Sequence, residues 1–116
     1  MKVIKKPWGK EEILEHNEKY VLKKLSMNGG HKCSVQYHVK KKETVYLLSG
    51  ALKLYIGGTK NGLDVAPVKV KPHEFMTIDP GVIHRMEAVE DSVYLEASTP
   101  ELDDVVRIED EYNRVG

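Results

Sequence analysis

Four side chains of this 116-residue chain have types and spacing suited to a divalent cation: Gln36, His38, Glu43 and His84. Residues two apart on a strand face the same way, so Gln36 and His38 share a face. Glu43 follows His38 by an odd five residues and on one continuous strand would point the opposite way. A turn through Val39–Lys42 resets the phase and lets Glu43 open a partner strand beside His38. His84 lies just past a Pro80-Gly81 turn, where a ligand from another hairpin is expected. Two imidazoles, a carboxylate and an amide oxygen suit a borderline ion: Zn, Mn, Fe(II), Co or Ni. Four protein ligands on a metal that prefers five or six leave positions for substrate or water. Any one of these histidines alone reads as a surface or satisfied core group; the set points to a metal.

Short strands must position these ligands. Gly and Pro punctuate the chain, and the runs between them are brief. Tyr20–Met27, Ser34–Val39, Thr44–Leu48, Ala51–Ile56, Leu63–Val70, Phe75–Ile78, Val82–Ala88 and Val93–Ala97 read as strands. Asn61-Gly62 is a hairpin-turn signal. Pro100–Tyr112, with Leu102, Val105, Val106 and Ile108, suits a short C-terminal helix after a Thr99/Pro100 start. No other window sustains a 3.6-residue period. Strands with polar turns predict an all-β sandwich or barrel, and the length predicts a single domain over residues 1–116.

Composition narrows the function classes. Eighteen basic residues balance eighteen acidic ones, but residues 1–42 carry 11 Lys and 4 Glu, whereas residues 87–116 carry 2 Arg and 10 acidic residues. A Lys-rich first part matched by an acidic last part predicts pairing across the fold or two solvated faces, not a nucleic-acid surface. No stretch is apolar enough for a membrane span. The opening MKVIKKPWGKEE has no apolar signal core, which predicts a cytoplasmic protein. A single Cys33 excludes an internal disulfide and is expected in the core.

At this level the chain resembles the cupins. The first cupin motif runs Gly, five residues, His-x-His, three or four residues, Glu, six residues, Gly. Here Gly30, Gln36, His38, Glu43 and Gly50 stand at those spacings, with Gln36 replacing the first His. The second motif is represented by Gly81 and His84; its first Gly, first Pro and Asn are replaced by His73, Asp79 and Ala88. A narrower resemblance is carried by KPWGKEEIL (6–14), SVQYH (34–38), SG (49–50), VIHRMEA (82–88) and ELDDVVRIEDEYNR (101–114). These stretches resemble type II mannose-6-phosphate isomerase, the cupin domain that also ends bifunctional mannose-1-phosphate guanylyltransferase/isomerases. The resemblance implies a small double-stranded β-helix barrel, one divalent metal on its inner wall, an anionic sugar substrate and a homodimer. The chain departs from the isomerase pattern at Val39–Lys42, at Thr44-Val45 and at Ser98.

Aldose–ketose isomerisation of a sugar phosphate needs an electrophile on the oxygens, a base and cations for the phosphate. The metal supplies the first. Glu96 falls near the family's inward-facing Glu and is the candidate base, with a lysine or a metal-activated water as alternatives. Lys41, which aligns with a family Arg, together with Lys32 and Arg107, are the candidate phosphate ligands. Arg85 neighbours His84 and is expected to point away from it. His16, His31 and His73 have no other metal-ligating residue at ligand spacing, and Trp8 is expected to pack the N-terminal segment on the barrel or across a dimer. Two other functions fit the motifs: a different metal-cupin enzyme (a dioxygenase, another sugar isomerase or an epimerase) and a non-catalytic sugar-binding cupin.

Overall fold

Alternation of apolar and polar residues sets the strands, and two long strands set the fold. A computed structural model describes residues 2–58 and 65–109. Nine strands form one antiparallel sheet: β1 (Lys2–Lys6), β2 (Gly9–His16), β3 (Val21–Met27), β4 (Val35–Tyr37), β5 (Glu43–Ile56), β6 (Val68–Val70), β7 (Phe75–Ile78), β8 (His84–Ser98) and β9 (Val106–Glu109). In β3 every second residue is buried, from Val21 through Lys23 and Leu25 to Met27.

β5 and β8 are the longest strands and pair along most of their lengths. Their register shifts around Ser49–Leu52, where Gly50 takes φ +96°. There the sheet divides into two halves. One half carries β1-β2-β3, the C-terminal part of β8, the first part of β5, and β7. The other carries β9-β4, the first part of β8, the second part of β5, and β6. Side chains from both halves meet in one core: Leu25, Leu47 and Tyr94 from the first, Leu52, Leu54, Val70 and Met86 from the second. Trp8 joins this core as expected, and so does Cys33, whose thiol is pushed up to about 11 by burial. The predicted all-β barrel is therefore the fold.

Several sequence expectations are corrected. The runs 44–48 and 51–56 are one strand, as are most of 82–88 and 93–97, because a bulged, bent strand turns the corner without losing its partner. The helix predicted for Pro100–Tyr112 does not form within residues 100–109. β-branched Val106 and Ile108 pair with β4 instead, and β9 completes that edge of the sheet. Residues 110–112 of that prediction, and the Asn61-Gly62 turn, lie outside the described residues. β1 and β2 were not anticipated. Among the described residues no helix is long and apolar enough to cross a membrane.

Candidate metal centre and its cavity

β4, β5 and β8 bring three of the predicted ligands together. Ligand atoms of His38, Glu43 and His84 lie within 4.8 Å of one another, and all three residues are buried. Glu43 opens β5 as expected, but β5 pairs with β7 and β8, not with β4 beside His38. His84 opens β8 with Gln36 as its register partner, so the two side chains share the inner face.

The hydrogen bonds around the imidazoles fix their chemistry. Nδ1 of His38 is 2.5 Å from the Asp104 carbonyl oxygen, and Nδ1 of His84 is 2.9 Å from that of Val82. A carbonyl only accepts, so each Nδ1 carries a proton, and the neutral form of each ring presents a bare Nε2. Both Nε2 atoms face Glu43 Oε1, at 3.3 and 3.1 Å. None of these Nε2 atoms, nor either oxygen of Glu43, has a hydrogen-bond partner. Close approach without a shared proton is what ligands around a cation show, and buried unpaired acceptors are otherwise costly. The donor set of two imidazoles and a carboxylate fits a divalent metal. Outward-facing imidazole N–H groups held by carbonyls are the usual outer shell of such a site. Gln36 Oε1 accepts from Ser34 Oγ at 2.5 Å, which orients the carboxamide and leaves a second lone pair.

Beside this cluster lies a cavity of about 280 Å³. Gln36 and His38 reach it; Glu43 and His84 lie behind them in the wall. The cavity is lined by five cations, Lys2, Lys6, Lys23, Lys41 and Arg107, against the carboxylates of Glu11, Glu96 and Asp103. The excess of cations suits an anionic ligand.

A chain of ion pairs runs along this wall. Lys23 Nζ is 2.7 Å from Glu11 Oε1 and 3.9 Å from Glu96 Oε2. Lys41 Nζ is 3.2 Å from Glu96 Oε2 and 3.4 Å from Glu43 Oε2. Burial disfavours the Lys41 ammonium, but the carboxylates of Glu96 and Glu43 outweigh it and hold its pKa above the ordinary range. Burial and the neighbouring Glu43 carboxylate push Glu96 up to about 7.

The predicted substrate ligands divide. Arg107 lines the cavity as the register partner of Gln36, and its Nε is buried without a hydrogen-bond partner. Lys41 also lines the cavity, though its charge is committed to Glu96 and Glu43. Lys32 does not line it; it bridges to Glu87 in the neighbouring strand. Arg85 points away as expected, its Nε donating to the Cys33 carbonyl. His73 sits in a turn at φ +73°, its ring against the Tyr46 hydroxyl. Sequence reasoning missed Lys2, Lys6 and Glu11, whose strands were unread, Lys23, whose strand was read without its inward charge, and Asp104, hidden in an acidic run. The Asp104 carboxylate accepts from the backbone N–H groups of Val39, Lys40 and Lys41, and these bonds, that of Lys40 foremost, lower its pKa.

A family model described as mannose-6-phosphate isomerase C-terminal matches residues 1–110. The mannose-1-phosphate guanylyltransferase ManC of Salmonella typhimurium is 30% identical over 122 aligned residues, covering 97% of this chain and 23% of that protein. The mannose-1-phosphate guanylyltransferase of Escherichia coli K12 is 29% identical over the same shares. The chain thus spans about a quarter of the length of these curated relatives. KdgF from Halomonas sp. superposes with a TM-score of 0.76 at 15% identity, covering 89% of this chain and 91% of that one. An RmlC-like cupin from Shewanella frigidimarina gives 0.74 at 14% identity, covering 88% and 86%. These structural likenesses establish the cupin fold.

Proposed function

Because the chain belongs to the mannose-6-phosphate isomerase C-terminal family, we propose that it is a metal-dependent aldose–ketose isomerase interconverting mannose 6-phosphate and fructose 6-phosphate. The observation that carries this reading is the convergence of bare His38 Nε2, bare His84 Nε2 and the unsatisfied Glu43 carboxylate beside a cation-rich cavity. His38, Glu43 and His84 hold the metal, with Gln36 as fourth ligand. Bound there, a divalent ion supplies a Lewis acid for the carbonyl and hydroxyl oxygens of the sugar.

The remaining work falls to the chain. Glu96, in the cavity wall, takes the proton from C2 of the aldose and returns it to C1, while a second proton passes between the two oxygens. Lys23 and Lys41 hold its Oε2 and so orient the carboxylate. Among the described residues, Lys2 and Arg107 have no ion-pair partner, and they stand on β1 and β9, the two ends of the strand order. They take the phosphate, with Lys6 adjoining. Ile4, Leu25, Leu102 and Val105 add apolar surface to the lining.

The test is incubation of the chain, loaded in turn with Zn, Mn, Fe(II), Co and Ni, with mannose 6-phosphate. Fructose 6-phosphate is expected with at least one ion. Metal binding without conversion by any ion would remove the isomerase reading and leave a different metal cupin or a sugar-binding one.

A further inference from the structure

We propose that Asp104 is a positioning residue of the metal centre, tying the ligand His38 and the turn behind it to the C-terminal segment. The inference rests on the reading of His38, Glu43 and His84 as ligands and adds the device that holds one of them in its coordinating form.

Asp104 acts through two separate groups. Its backbone carbonyl oxygen accepts the Nδ1 proton of His38 at 2.5 Å, which keeps Nε2 bare. Its carboxylate accepts three consecutive backbone N–H groups: Oδ1 from Val39 at 3.0 Å, Oδ2 from Lys40 at 2.7 Å and from Lys41 at 2.9 Å. Three successive N–H groups turned to one side form an anion-binding concavity. Here the resident anion is Asp104, sixty-odd residues away in sequence. The His38 carbonyl is held independently by the Gly81 N–H at 2.6 Å. His38 is thus clamped at its ring and at its carbonyl, and the turn that follows it is anchored to the residue holding the ring.

The N–H groups of Val39, Lys40 and Lys41 are occupied by this carboxylate. The turn also carries Lys41 inward, onto Glu96 and Glu43. Loss of the Asp104 carboxylate therefore releases both a metal ligand and the lysine beside another. Just beyond it, Val105 and Arg107 line the cavity, so one anchor serves both the metal and the substrate wall.

The experiment is Co(II) titration of the full chain, followed by visible absorption and by calorimetry, for the wild type and for Asp104→Asn, Asp104→Ala and Glu109→Gln. Asp104→Asn keeps the size and the backbone carbonyl but turns an amide against the N–H groups of the turn. Both Asp104 variants are expected to bind Co(II) about 10- to 100-fold more weakly, with an altered ligand-field spectrum. Glu109→Gln, at the exposed end of β9, is expected to match the wild type. A folded Asp104 variant that binds Co(II) as the wild type does overturns the proposal. A second measurement needs no variant. Imidazole ¹⁵N NMR of the wild type without metal is expected to show His38 protonated at Nδ1; protonation at Nε2 overturns it. Absence of Co(II) binding by the wild type itself would overturn the metal reading instead, which separates the two failures.

Discussion

Lys41 Nζ stands 3.2 Å from Glu96 Oε2, with both side chains almost wholly withdrawn from solvent. A lysine from a run of three, in a segment that reads as a solvated turn, is thereby the cation that holds the candidate base and one metal ligand in place. Removing one partner of a buried pair leaves the other charge uncompensated. Lys41→Gln is expected to cost about 3–5 kcal/mol of folding stability, read as a lowered midpoint in urea. A loss no larger than that of an exposed lysine would show that Glu96 and Glu43 do not depend on it.

Glu11 sets an acid limit on the fold. Burial opposes its charge, but Lys23 at 2.7 Å outweighs burial and lowers its pKa below the ordinary 4.5. Between the two values the unfolded chain binds more protons, so stability rises with pH there. The contribution is complete above 4.5 and is lost as pH falls through the folded value. Glu11→Gln is expected to be less stable than the wild type near neutrality, with the gap closing as the pH drops below 4.5. A constant gap across pH in thermal melts would remove Glu11 as the source.

Gly50 and Gly81 separate two kinds of glycine requirement. Both have positive φ, +96° and +80°. A Cβ on Gly50 would collide with Ser92 Oγ and the Asp91 carbonyl, whereas one on Gly81 meets nothing within 4 Å. Gly81→Ala is expected to cost the backbone strain alone, about 1–3 kcal/mol. Gly50→Ala is expected to cost more, because it also forces apart the bend between the two halves of the sheet. Equal losses in melting temperature would contradict the steric part.

Arg107 is the proposed phosphate ligand that can be tested most cleanly, because among the described residues its charge has no ionic partner. Arg107→Gln is expected to raise KM for mannose 6-phosphate about 10- to 100-fold, the loss of a charged hydrogen bond, with metal content unchanged. An unchanged KM would place the phosphate elsewhere.

The candidate metal ligands were legible because their spacing depends only on strand geometry. Gln36 and His38 alternate, Glu43 follows a turn, and His84 follows Pro80-Gly81. β2 was not legible, nor were the inward charges on β3 and β8, although both of those runs read as strands. An inward face built from Glu11, Lys23 and Glu96 replaces apolar residues with charges, so β2 in particular shows no clean alternation. The pairing of Lys41 and the role of Asp104 were hidden for a related reason: each lies in a run of like charges, and only the fold brings lysine onto carboxylate and carboxylate onto backbone. The C-terminal helix failed because an unpaired edge of β4 competes for Val106 and Ile108, a tertiary demand that local periodicity does not contain.

The metal content of the chain after loading and exhaustive dialysis tests the centre most directly. The wild type is expected to retain about one divalent ion per chain, and His84→Ala and Glu43→Gln to retain none, since each removes one of the three converging ligands. A wild type that retains no metal, or a His84→Ala chain that retains it in full, would contradict the assignment.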